Sequence, residues 1–207
     1  RVWRRVSRSS HKINSMAYET YTTKALVCGT KNRNTADRSY LLFTREAGML
    51  FADARSVREE RSRQRYALQD FSLIRVSLVK GKAGWKIGSI EPLTNLYHAA
   101  EDKVARGSVV RVVRLLRRFL HGEEAAQELF DLVTHGLTIL KGEVPERAFV
   151  EQVLLVQILA ELGYVATKDI PEPLQRVAPE AAGILRSDAL ASIVDRLYTH
   201  AVSVSRL

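Results

Sequence analysis

Residues 71–93 read FSLIRVSLVKGKAGWKIGSIEPL, and their patterning decides the fold. Ile74, Val76 and Leu78 alternate with Arg75 and Ser77, the two-residue period of a half-buried strand. KGKAG (80–84) is turn chemistry, and WKIGSIEPL resumes an extended run, so the segment predicts two strands joined as a hairpin. Upstream, TYTTKALVC (20–28) is β-branched and apolar, and GTKNRNTAD (29–37) reads as a Gly- and Asn-rich turn. SYLLFTR (39–45) and MLFADARSV (49–57) flank EAGM, a short connection containing a glycine. None of these connections is a helix long enough for a parallel crossover, so the five strands should pair antiparallel. Five short strands in a basic module predict a small closed barrel of the OB type. REERSRQRYALQD (58–70) fits neither period and joins strands three and four, where such a barrel carries a helix or long loop.

Beyond Pro92 the period changes. Val109, Val112, Val113, Leu116 and Phe119 make a broad apolar face, with Arg111, Arg114 and Arg118 in a stripe at i, i+3 and i+7 opposite it. Gly107 predicts a break before this helix and Ser108 its N-cap. A second helix is expected to open at Glu123 and Glu124 and close near Gly142, and a third to run from Pro145 to Gly163. KDIPEPLQRVAPE, with three prolines, reads as a connector before a last helix capped by Ser187 or Asp188. The fold class is therefore α+β, strands first and helices after. The expected division is a disordered leader at 1–15, a barrel domain at 16–95 and an all-α domain at 96–207.

Charge divides the chain in the same place. Up to Asn95 there are 19 Lys and Arg against 8 Asp and Glu; from Leu96 onward there are 13 against 15. A basic front half on a nearly neutral back half predicts that the front half meets a polyanion, although solubility charge alone is the simpler reading. Cys28 is the single cysteine, which excludes an intrachain disulfide and a cysteine-rich zinc site and fits a reducing cytosol. In KALVCG it reads as a small buried hydrophobe. Residues 1–15 hold no acid and precede Met16, as expected of a leader outside the fold.

Motifs for covalent chemistry are missing. No GxGxxG follows a strand, no GxxxxGK[ST], HExxH or GxSxG occurs, and His11, His98, His121, His135 and His200 lie at no metal-ligand spacing. GKAG (81–84) matches the GxxG of KH domains, but strands flank it, so a hairpin turn is the better reading. Nothing here requires an enzyme, a metal or another cofactor. What remains is a basic sheet with aromatic residues among its cations: Tyr40, Phe43, Phe51, Tyr66, Phe71 and Trp85. Single strands are held by phosphate neutralisation and base stacking. The DNA-binding candidates are Lys31, Arg33, Arg38, Tyr40, Arg45, Arg55, Arg58, Arg61, Arg63, Arg65, Lys80, Lys82, Trp85 and Lys86. Phe43 and Phe71 read as core, whereas Tyr40 and Trp85 suit core and stacking equally.

Residues 24–57, KALVCGTKNRNTADRSYLLFTREAGMLFADARSV, resemble the start of the bacterial RecO family of repair and recombination mediators. Ala36-Asp37-Arg38, Leu42-Phe43-Thr44, Arg45-Glu46 and Gly48 match its pattern in order, and ALQDFSLIRVSLVKGKAGWKIGSIEPL is similar to the strand pair that follows. LLVQILAELGYVATKD resembles the family's LGY segment. The resemblance implies an OB barrel that binds single- and double-stranded DNA and anneals strands, with Arg38 and its neighbours at the DNA-facing positions. It also implies RecR and the single-strand-binding protein SSB as partners, a helical domain receiving the SSB tail, and a cytoplasmic, nucleoid-associated protein with no membrane contact. Arg111, Arg114 and Arg118 are the candidates for that tail, and a solvated helix face is the alternative. The four-cysteine zinc module of many members is missing here, with a Pro-rich linker in its place. Two other readings stay open: an OB module for RNA, and a protein adaptor whose helical half does the work.

Overall fold

The computed structural model describes residues 20–33, 37–57 and 64–204. The leader expected at 1–15, and Arg58, Arg61 and Arg63, lie outside the described residues. Five strands, β1 (Thr20–Asn32), β2 (Arg38–Thr44), β3 (Gly48–Ala54), β4 (Ser72–Gly81) and β5 (Gly84–Asn95), form a closed barrel in the order β1-β2-β3-β5-β4. Antiparallel ladders join β1 to β2 and β4, β2 to β3, and β4 to β5. A short parallel pairing, Ala52 with Trp85 and Asp53 with Lys86, closes the ring. This is the OB-type barrel that the strand pattern predicts.

Alternation assigns the two faces of each strand. Ala25, Val27, Tyr40, Leu42, Leu50, Ala52, Ile74, Val76, Leu78 and Trp85 fill the barrel, with Leu68 after the short helix α1 (Gln64–Ala67). Leu26, Cys28, Phe43 and Met49 point outward and are equally buried, because helices cover them. These helices are α2 (Lys103–Phe119), α3 (Gln127–Leu140) and α4 (Arg147–Glu161), followed by α5 (Pro179–Ala182) and α6 (Asp188–Val204). The second core joins both halves: Phe43 lies 5.2 Å, ring centre to ring centre, from Phe130 of α3. Each such side chain taken from water contributes about 1.5–3 kcal/mol.

Three boundaries differ from the sequence reading. β1 continues through Gly29-Thr30-Lys31-Asn32, because its ladder with β2 runs on to the Asn32–Arg38 pair and absorbs the irregularity as a bulge between Val27 and Gly29. α2 begins five residues before Ser108. Asp102 is its N-cap, with the carboxylate accepting from Ala105 N at 2.6 Å, and Gly107 and Ser108 lie inside the helix. α3 begins at Gln127, after Glu123 and Glu124, because the preceding link is held against the β2–β3 hairpin. Met49 N donates to Gly122 O at 3.0 Å. Gly48 has φ +61, and a Cβ on it would lie 2.3 Å from Glu124 O, so glycine is needed there twice over. KGKAG is a hairpin turn between β4 and β5, and Ser187 caps α6 through Leu190 N.

Candidate nucleic-acid interface

Register places the predicted cations. Lys31 pairs with Ser39, Ser39 with Asp53 and Asp53 with Lys86, so one row of outward side chains crosses β1, β2, β3 and β5. Arg33 at the β1–β2 turn bonds the Asp53 carboxylate, and Ser39 donates to it at 2.8 Å. Lys82 sits in the β4–β5 turn and Lys86 just beyond it, both exposed. Because β5 joins β3, that turn flanks the β2–β3 face from the side opposite the β1–β2 turn. Arg55 continues outward past the end of β3. Asp37 holds this corner by accepting from Ser56 N at 2.9 Å, where Ser56 has φ +52.

Arg38 and Arg65 are brought together elsewhere, in a cleft of about 400 Å³ at the barrel end beside α1. Asp70 lies in the same cleft. Its Oδ1 is buried without a hydrogen-bond partner, and this burial raises the carboxyl above its ordinary range, although Arg117 and Arg38 oppose the shift. Phe71 follows at φ +69 and stacks on Tyr97 with centroids 5.4 Å apart.

Several candidates are not available as read from sequence. Tyr40 is 1% exposed and Trp85 7%; both point into the barrel, so neither offers a ring face to a base. Their strand parity decides this, since Tyr40 pairs with Ala52 and Ala52 with Trp85, all inward. Arg45 is held by Asp131 of α3 through two hydrogen bonds. Lys80 bonds Glu123 at 3.1 Å and lies over the Trp85 ring, 4.9 Å from its centre. The expected stripe on α2 is exposed, but two of its three arginines are already engaged. Arg111 pairs with Glu151 of α4, which is only 5% exposed and also accepts from Ser108. Arg118 donates to Val202 O at 2.8 Å, near the carboxyl end of α6 where a cation is favourable. All three arginines are exposed, but Arg111 and Arg118 are tied to these partners.

The residue that the sequence reading left out of the site is Phe51. It is 56% exposed on the outer face of β3, next to Leu41 of β2. The signal was present in LFADA: buried Leu50, Ala52 and Ala54 force Phe51 and Asp53 outward. Arg117 of α2 was also passed over, yet its guanidinium lies against Gly29 of β1. Among the described residues no cluster of His, Cys, Asp or Glu is placed to hold a metal ion, and no helix is long and apolar enough to cross a membrane.

Comparison with known proteins agrees with this architecture. Residues 16–95 match the family described as recombination protein O N terminal. The chain is 28% identical over 144 residues to the DNA repair protein RecO of Desulfitobacterium hafniense, covering 70% of this chain and 52% of that protein. It is 31% identical over 126 residues to the protein of that name from Myxococcus xanthus, covering 60% and 52%. The corresponding protein of Heliobacterium modesticaldum is 29% identical over 147 residues, covering 70% and 52%. The chain thus spans about half the length of the curated relatives it matches. Residues 16–95, the whole barrel, thus match the N-terminal domain of the RecO family, and the similarity to RecO proteins extends into the helices behind it.

Proposed function

We propose that this chain binds single-stranded DNA across the outer β2–β3 face of its barrel and acts without covalent chemistry in repair and recombination. The observation that carries the reading is the convergence of cations from the β1–β2 and β4–β5 turns on one face: Lys31, Arg33, Lys82 and Lys86, with Arg55 at its margin and Arg38 apart from it in the cleft beside α1. In OB barrels this face and these two loops take oligonucleotides. The carboxylates nearest it, Asp53 and Glu123, are each matched by a cation, Arg33 and Lys80. The excess charge is therefore free to neutralise phosphate. Annealing follows from the same physics, because a cationic surface lowers the repulsion between two strands and raises their local concentration. The resemblance extends the proposal to SSB-coated strands and to RecR as a partner, with Arg65 adding to the surface beside α1 and Arg58, Arg61 and Arg63, outside the described residues, as further candidates from the sequence.

The test is oligonucleotide affinity as a function of salt. Between about 50 and 200 mM, binding should fall by orders of magnitude. Replacing Lys31, Lys82 and Lys86 together by glutamine should weaken it and flatten the dependence by about one power of salt for each phosphate no longer neutralised. Salt-independent binding, or a triple variant that binds like wild type, refutes the assignment. An equal RNA strand as competitor separates DNA from RNA.

A further inference from the structure

We propose that Phe51 and Arg117 form a subsite for one nucleotide at the inner edge of the cationic face, so that α2 holds the strand together with the barrel. This rests on the reading just given, that the β2–β3 face carries a single strand.

Three observations bring the two residues together. First, Phe51 is more than half exposed although it belongs to a strand whose other large side chains are buried. Second, a groove of about 540 Å³ opens beside it, between the barrel and the end of α2. Leu41, Met49, Phe51 and Arg117 line it, with Gly84 and His121. Third, the register is continuous: Gly29 pairs with Leu41 and Leu41 with Phe51. The Arg117 guanidinium lies over Gly29, where a Cβ would stand 3.5 Å from its Cζ, so the cation rests directly on the sheet. Arg117, Leu41 and Phe51 therefore make a second row, parallel to the row of Lys31, Ser39, Asp53 and Lys86. Rows two residues apart are separated by about 7 Å, so a single strand lying on the face meets both.

The chemistry fits an unpaired nucleotide. A flat exposed ring stacks on any base, and a guanidinium two strands away, about 10 Å across Leu41, binds a neighbouring phosphate and also stacks. A duplex cannot use Phe51, because its bases are already stacked on one another. An acidic peptide carrying an apolar side chain is the competing occupant, and the oligonucleotide test below separates it from a nucleotide. The subsite thus gives the barrel a preference for single strands that cations alone do not supply.

The experiment uses the full chain, fluorescein-labelled oligo-dT of about 25 nucleotides and a duplex of equal length, with anisotropy read at several salt concentrations. Phe51→Ala should weaken oligo-dT binding roughly five- to hundredfold, leave duplex binding within twofold, and leave the salt slope unchanged. Phe51→Tyr should restore the affinity. Arg117→Gln should weaken oligo-dT binding and reduce its salt slope by about one. Thermal melts of each variant check that the barrel is intact. If wild type binds oligo-dT and both Phe51→Ala and Arg117→Gln match it, the subsite is refuted. If wild type does not bind oligo-dT at all, the parent reading fails, and the subsite with it.

Discussion

Arg45 and Asp131 clamp the barrel to the helices: Nε donates to one carboxylate oxygen at 2.9 Å and Nη2 to the other at 2.8 Å. The two residues lie 86 positions apart, and the pair sits beside the apolar packing of Phe43 on Phe130. The geometry is that of a planar fork on a planar acceptor, which lysine cannot reproduce.

This pairing predicts that Arg45→Gln leaves oligonucleotide affinity close to wild type, whereas glutamine at Lys31, Lys82 and Lys86 lowers it. The bond to Arg45 holds the Asp131 carboxyl below its ordinary range, so the pair stabilises the fold above the unfolded pKa of Asp131 and that contribution is lost as pH falls through the lowered folded value. Arg45→Gln should therefore lower the melting midpoint slightly at neutral pH and not in strong acid, with a smaller difference at high salt. A large loss of DNA binding in a folded Arg45→Gln protein would contradict the assignment.

Arg111 and Glu151 give the opposite case. Glu151 is buried on α4 and depends on Arg111 and Ser108 for its partners, so removing the guanidinium strands a carboxylate in the core. Breaking a fully buried pair costs about 3–5 kcal/mol; Arg111 is half exposed, so about 2–3 kcal/mol is expected for Arg111→Ala in denaturant unfolding. Arg111→Met combined with Glu151→Leu should recover most of the loss, because no charge is then buried. If Arg111→Ala is as stable as wild type, Glu151 has another means of solvation.

These two arginines mark how far the sequence could be read. Ile74, Val76 and Leu78 revealed β4 because Arg75 and Ser77 interrupt them, and the turn at Lys82-Ala83 followed. β2 was harder: in SYLLFT the inward Tyr40 and Leu42 and the outward Leu41 and Phe43 are all apolar, since helices cover the second face. Parity was therefore undetermined, and with it the fate of Tyr40 and, across the barrel, Trp85. The α2 stripe looked solvated because its partners, Glu151 and the carbonyl of Val202, lie 40 and 84 residues away. Periodicity finds a helix face; it does not find what the face meets. Phe51 was within reach, since only one parity of LFADA buries both alanines.

Cys28 offers a chemical test of the junction between the two halves. Its thiol is enclosed between β1 and the helices, donates weakly to Leu26 O, and is pushed up to about 12 by burial. At mildly alkaline pH it stays protonated and shielded, so the native protein should resist an aromatic disulfide reagent and react only as fast as it unfolds. Rapid stoichiometric labelling of folded protein would mean that the barrel and helices separate readily.

Asp70 links stability to binding in one residue. Burial is the larger cause of its raised pKa, Arg117 and Arg38 acting against it, so at neutral pH the fold holds a carboxylate less well than water does. For a raised acid, the stability it permits is full below the unfolded value and declines as pH rises through the folded one. Asp70→Asn removes this penalty. The variant should melt higher than wild type at pH 7, and the gap should close toward about pH 3, where the wild-type side chain is neutral too. The same substitution removes the carboxylate from the cleft that holds Arg38 and Arg65, so it should also tighten oligonucleotide binding, and most at low salt. If Asp70→Asn melts lower at pH 7, Arg38 and Arg117 stabilise the carboxylate more than its burial costs. If it melts higher but binds no tighter, phosphate does not reach this cleft, and Arg38 belongs to the barrel rather than to the strand.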